Sequence, residues 1–126
     1  MNYKKRQNFL VFGRPFIGEE EIKEVVDTLR SGWWGTGPKT EIFEKEFASY
    51  AKSKYSIAVN SATAGLHLAL RALDLKSGDE VITTPLTFVS TINVILHAGA
   101  KPVFADIDRN TWNIDPKEIE KKITKK

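Results

Sequence analysis

The chain contains no cysteine. Disulfides, cysteine metal sites and thiol catalysis are therefore excluded, and the composition fits a reducing compartment; a cytoplasmic location is expected. Only two histidines occur, and neither has a histidine near it in sequence, so no metal site is expected. Long hydrophobic runs are also missing. No apolar stretch approaches the roughly 18 residues a membrane-crossing helix needs, and no membrane partner is expected. The start, Met-Asn-Tyr-Lys-Lys-Arg, is followed by no apolar core, which argues against a cleaved signal peptide. There is neither a long internal repeat nor a low-complexity tract.

What is present has the size and balance of one ordinary domain: 126 residues, 41% hydrophobic and 28% charged, with a net charge of +3. Placement of the charges says more than their sum. Residues 1–54 carry 10 basic and 8 acidic side chains, residues 55–105 only 3 of each, and residues 106–126 carry 6 and 5. The middle of the chain is therefore expected to be interior. The last six residues, Lys121-Lys122-Ile123-Thr124-Lys125-Lys126, read as a solvated helix end. A nucleic-acid arm would need a broader basic stripe with arginines and aromatics, so no nucleic-acid partner is expected.

Periodicity divides the chain. After an irregular start containing Arg14-Pro15, three acids (Glu19, Glu20, Glu21) precede Ile22, Val25, Val26 and Leu29 at helical spacing, and Gly32 can stop that helix. Gly32-Trp33-Trp34-Gly35-Thr36-Gly37-Pro38 cannot be regular structure, with three glycines and a proline in seven residues. A second helix is expected from about Pro38 to Ala51, with Phe43, Phe47 and Tyr50 on one side. From residue 55 the pattern alternates. A short buried strand is expected at Tyr55–Asn60, and further strands at Glu80–Thr84 and Lys101–Ala105. Helices are expected through Leu66–Leu73, from Phe88 to Ala98, and after Asp115-Pro116, where proline takes the first helical position. Strand and helix in alternation argue for an α/β fold with a parallel sheet.

Two corners carry chemistry. Asn60-Ser61-Ala62-Thr63-Ala64-Gly65 joins an apolar run to a helix with small side chains only. Unpaired N–H groups, the helix dipole and a hydroxyl at such a point make a phosphate cup. Neither a Walker loop nor GxGxxG is present. The competing reading is that Ser61 or Thr63 is simply a helix cap. Pro85-Leu86-Thr87-Phe88-Val89-Ser90-Thr91 occupies the corner after the second expected strand, where α/β sheets bind ligands. Phe88 could cover a flat ring there, or be plain core. Trp33 and Trp34 could line a substrate or an interface, or anchor their loop by burial.

Taken in order, these pieces resemble the start of a DegT/StrS-type sugar aminotransferase, a pyridoxal-phosphate (PLP) enzyme of the aspartate-aminotransferase fold. The resemblance rests on Arg14-Pro15, Ser31-Gly32-Trp33 to Gly37-Pro38, Phe43-Glu44, Ala58 to Leu66, Gly78-Asp79-Glu80-Val81-Ile82-Thr83, Thr87 to Thr91 and Gly99-Ala100-Lys101-Pro102-Val103-Phe104. It runs over residues 12–124. It implies a partial three-layer α/β/α sheet with about three strands and four to five helices. Residues 1–54 would form an N-terminal arm and helices, with dimer and substrate-loop contacts. Residues 55–126 would start the PLP-binding large domain, the whole being one incomplete domain. Ser61, Ala62, Thr63 and Ala64 resemble the family's PLP-phosphate site, and Phe88 the aromatic placed against the pyridine ring. Trp33, Trp34, Gly35 and Thr36 resemble the loop near the sugar-nucleotide site and subunit interface. The implied partners are a sugar nucleotide, an amino acid and a second copy of the chain.

The resemblance also implies what is missing. Family members are about three times as long, and the match stops before the Schiff-base lysine and the aspartate that pairs with the pyridine nitrogen. The chain is thus expected to be an amino-terminal fragment, inactive alone, with no catalytic residue of its own. The other readings are a non-catalytic association module and a weak phosphate-ligand binder. The strand that would pair with Tyr55–Asn60 is formed later in the family chain. Here that segment must repack beside Glu80–Thr84, pair with another copy, or stay exposed.

Overall fold

A computed structural model describes residues 7–9 and 11–125. The elements are α1 (Glu19–Ser31), α2 (Pro38–Ala51), α3 (Ala62–Ala72), β1 (Glu80–Thr83), α4 (Ser90–His97), β2 (Lys101–Phe104) and α5 (Pro116–Glu120). They fall into two compact units, Met1–Ile57 and Ala58–Lys126.

In the first unit, the acids at the front of α1 do what their position dictates. The Gly18 N–H donates to the Glu21 carboxylate at 2.6 Å, and three carboxylates face the positive end of the helix. Gly32 ends α1 in a left-handed conformation, φ 72°, which costs a glycine little. Pro38 opens α2 at the position where its missing N–H is harmless. The Lys39 ammonium bridges the two helices, donating to the Glu24 carboxylate and, at 2.7 Å, to the Glu24 carbonyl. Phe43 and Phe47 meet as tilted rings, 5.9 Å between centroids. Neither helix buries a residue, and the apolar face of α1 (Ile22, Val25, Leu29) is exposed.

The second unit holds the core. β1 and β2 pair in parallel, Glu80 opposite Lys101 through Thr83 opposite Phe104, with α4 as the crossover between them. α4 packs against α3 and both strands. Val94 and Ile95, each 2% exposed, are its inward side chains, joined by Ala98, Ala100, Ala105 and the side chain of Thr83. Beyond β2, Ile107 and Ile114 form an antiparallel bridge around a tight turn. The Asp108 carboxylate accepts from the N–H groups of Asn110 and Thr111, both at 2.9 Å, and these bonds hold its pKa below the ordinary value. Asp115 caps α5 by accepting from Lys117 N–H at 2.8 Å.

The architecture is α/β, with five helices and a small parallel sheet. One expected element is corrected. Tyr55–Asn60 belongs to no strand, so the sheet has two strands where about three were expected. Its side chains alternate as a strand's would: Tyr55, Ile57 and Val59 are exposed, Ser56 and Ala58 half-buried. Among the described residues the only named ladder is that of β1 with β2, and a strand is defined by such pairing. β1, β2 and α4 are each slightly shorter than expected. The charge-poor middle is interior only in part. Among the described residues, all the buried ones lie from Thr83 to Ala105, while Leu68, Leu73 and Phe88 are exposed.

Candidate functional site

The first corner is built by Ser61. Its extended backbone, φ −162° and ψ 155°, lets its hydroxyl turn back onto the helix it opens, accepting from Ala64 N–H at 3.1 Å. The next N–H, of Gly65, donates to the Ser61 carbonyl at 3.1 Å. The cap therefore engages the third and fourth N–H groups of α3 and leaves those of Ala62 and Thr63 at its open end. Thr63 is exposed, and the first turn of α3 contains no acidic side chain, unlike α1, α2 and α5. Gly65 approaches Val59, and an added Cβ would meet its side chain at 3.6 Å, an ordinary contact. The helix-cap reading of Ser61 is thus true, and the cup is what the cap leaves over.

The second corner follows β1. The Thr84 hydroxyl accepts from Leu86 N–H at 3.2 Å, and the hydroxyls of Thr87 and Thr91 are hydrogen-bonded at 3.0 Å. Thr91 N–H donates to the Phe88 carbonyl at 3.0 Å. Phe88 is 76% exposed, so the core reading of this ring is not what the fold makes of it. Thr91 of the second corner borders a cavity of about 200 Å³ between α3, β1 and α4, walled by Leu66, Leu70, Val81, Thr83, Val94 and Ile95.

The third piece lies in the first unit. Trp33 Nε1–H donates to the Thr36 carbonyl at 2.8 Å, and Trp34 Nε1–H to the Leu29 carbonyl at 3.2 Å. The indole of Trp33 lies so close over Gly37 that a Cβ there would be 1.8 Å from Nε1; only glycine fits. Both tryptophans are exposed, so they fasten the loop by hydrogen bonds and not by burial. Trp33 and Gly35 border a cavity of about 400 Å³ with Thr28, Lys39 and Thr40.

The donor set suits the phosphate end of PLP: two free N–H groups, an exposed hydroxyl, a favourable dipole and no competing carboxylate in the turn. A nucleophilic lysine needs a depressed pKa. Among the described lysines of the second unit, Lys76 pairs with Asp74 at 3.4 Å, Lys101 with Glu80 at 3.0 Å, and Lys121 with Glu118, which raises the Lys121 pKa. Among the described residues no cluster of three or more His, Cys, Asp or Glu is placed to hold a metal, and no helix is long and apolar enough to cross a membrane. Residue-by-residue reading passed over the hydroxyls of Thr84, Thr87 and Thr91 as groups. Their density, five Ser or Thr in residues 83–91, was the available signal.

Comparison with known proteins places these corners in context. A sequence profile described as the DegT/DnrJ/EryC1/StrS aminotransferase family matches residues 15–126. The chain is 58% identical over 121 residues to the spore coat polysaccharide biosynthesis protein SpsC of Bacillus subtilis (strain 168), covering 96% of this chain and 31% of SpsC. It is 59% identical over 121 residues to protein MJ1066 of Methanocaldococcus jannaschii, with the same coverage of 96% and 31%. Its fold matches the putative sugar aminotransferase Spr1654 from Streptococcus pneumoniae in the PLP form, at a TM-score of 0.84 and 46% identity, over 91% of this chain and 29% of that one. The PMP form of the same protein gives a TM-score of 0.85. The chain thus spans about a third of the length of the relatives it matches.

Proposed function

The chain belongs to the DegT/DnrJ/EryC1/StrS aminotransferase family, whose cofactor is pyridoxal phosphate, and we propose that it forms the phosphate-binding corner of a sugar aminotransferase. The amino donor is an amino acid, glutamate, and the acceptor a keto-sugar nucleotide of amino-sugar or cell-surface polysaccharide synthesis. The name of SpsC supports the polysaccharide assignment. When bound, the cofactor supplies the electron sink for amino transfer. The residues of this chain hold and orient it. Ala62 and Thr63 N–H groups and the Thr63 hydroxyl bind the phosphate, Ser61 and Ala64 keep the turn closed, and Phe88 covers one face of the ring. The loop Trp33-Trp34-Gly35-Thr36 meets the sugar nucleotide, and α1 with the loop after it contributes to a homodimer contact. The 126 residues alone have no transaminase activity, since none of their described lysines stands in a nucleophile's surroundings.

The observation that carries this reading is the open end of α3, with two N–H donors and a hydroxyl left by the Ser61 cap. Each charge-assisted bond there contributes about 1.5–3 kcal/mol, and immobilising the ligand offsets much of it. A dissociation constant on the order of millimolar, about −4 kcal/mol, follows. Equilibrium dialysis with pyridoxine 5′-phosphate tests it, because this probe keeps ring and phosphate but has no aldehyde to react with surface lysines. Binding at that level, weakened about tenfold by Thr63→Val, supports the reading. Absence of binding at about ten times that concentration leaves α3 with a helix cap and no site. A second reading, a non-catalytic association module, draws support from Ile57, 77% exposed, and from the uncovered face of α1.

A further inference from the structure

Phe88 has to be held still to be useful, and the chain around it is poorly suited to that by composition. Its ring is 76% exposed, so packing does not fix it. The residue that precedes α4, Val89, offers no side-chain cap. Yet the loop is tied at one point. Thr91, in the first turn of α4, is half-buried and walls the cavity between α3, β1 and α4. From there it makes two bonds outward: its N–H to the Phe88 carbonyl at 3.0 Å, and its hydroxyl to that of Thr87, also at 3.0 Å. Thr87 and Phe88 are thus tied to one residue, the Thr87 hydroxyl by the Thr91 hydroxyl and the Phe88 carbonyl by the Thr91 backbone N–H. The hydroxyl of Thr84, just before the corner, accepts from Leu86 N–H.

We infer that Thr91 is a positioning residue, whose hydroxyl fixes the Thr87–Phe88 peptide and so holds the Phe88 ring where a planar ring bound by the α3 corner would lie. The inference rests on the proposed cofactor corner for its purpose, but the clamp itself is a property of the free chain. The hydroxyl is the informative group. Thr91→Val keeps shape and helical position and removes only the bond to Thr87, whereas Thr91→Ser keeps the bond and removes a methyl. The N–H to Phe88 survives in both. A role limited to starting α4 would make valine and serine alike in the loop.

The test is NMR spectroscopy of the full 126-residue chain, first without ligand and then with pyridoxine 5′-phosphate. In the free chain, Thr91→Val is expected to broaden the amide signals of Leu86, Thr87 and Phe88 while leaving Val94–Ala98 unchanged, and Thr91→Ser to restore them. On titration, the Phe88 ring signals are expected to shift in the parent chain, to shift about fivefold less in the valine variant at equal ligand, as loss of one neutral hydrogen bond implies, and to recover in the serine variant. Signals of Ala62 and Thr63 report the phosphate corner separately, with inorganic phosphate as the probe. If they do not respond, the cofactor reading fails, and the clamp is then judged on the free-chain broadening alone. Unchanged loop signals in Thr91→Val overturn the inference. So does a Phe88 ring that stays silent while Ala62 and Thr63 respond.

Discussion

β1 and the segment Tyr55–Asn60 are both short apolar runs leading into a turn, yet β1 sits in a ladder with β2 and packs on α4, while Tyr55–Asn60 joins no sheet. Fixing a residue in extended geometry costs about 1–2 kcal/mol of backbone entropy. β1 recovers that cost from the ladder and from its contacts with α4, whose Val94 and Ile95 are buried. Tyr55–Asn60 belongs to no ladder among the described residues, and Ile57 stays outside at 77% exposure. The difference teaches that a strand is a property of a pair. It also shows that the corner after Asn60 does not need the strand before it: the Ser61 cap is local, made within three residues.

The comparison predicts unequal consequences for similar substitutions. Ile95→Ala empties the centre of the second unit, and a loss of about 2–5 kcal/mol is expected. Ile57→Ala removes a side chain that touches solvent, and a change within about 0.5 kcal/mol is expected. Urea unfolding of the two variants measures both. A loss at Ile57 equal to that at Ile95 would mean that the segment is packed in solution. Ser61→Ala removes only the cap and is expected to cost about 1 kcal/mol, read by the same unfolding curves. A larger loss would tie the corner to the missing strand after all.

Self-association sharpens the contrast from another side. The exposed side chains of Tyr55, Ile57 and Val59 form an apolar surface that invites a second copy, and light scattering across a tenfold dilution is expected to show a dimer that Ile57→Lys weakens. A parent chain that is monomeric throughout would remove the association reading. The smallest effect is electrostatic. Glu24 has its pKa lowered below 4.5, first by the hydrogen bond from Lys39 and then by the charge of that ammonium. The folded pKa is below the unfolded one, so the stabilisation is present above about pH 4.5 and fades as pH falls through the folded value. The pair is exposed, so the effect is slight. An acid titration of helicity is expected to show an early component that Glu24→Gln removes.

What the sequence made legible follows the same division between local and distant causes. α1 announces itself by three acids before an apolar stripe and a glycine after it, and α5 by Asp115-Pro116; each is decided within one turn. The β1–α4–β2 unit was legible because both strands and their crossover lie within 25 residues of one another. Tyr55–Asn60 reads as a buried strand from its apolar residues, but it stays exposed, the third of the outcomes its sequence left open, because burial depends on what covers a segment. Phe88, Trp33 and Trp34 were ambiguous for a related reason. Burial of an aromatic depends on what covers it, and nothing in residues 85–91 or 32–38 specifies that. The hydroxyl ties of Thr87 with Thr91 were hidden because threonine serves many ordinary purposes in a loop.

The most direct measurement is a titration of the 126-residue chain with inorganic phosphate, followed at the backbone N–H signals of Ala62, Thr63, Ala64 and Gly65. The account predicts that the signals of Ala62 and Thr63 move, those of Ala64 and Gly65 follow less because the Ser61 hydroxyl and carbonyl already engage them, and Ile57 and Val59 stay where they are. Equal movement at all helix N-termini, or none at Ala62 and Thr63 in the millimolar range expected for such a corner, would contradict it.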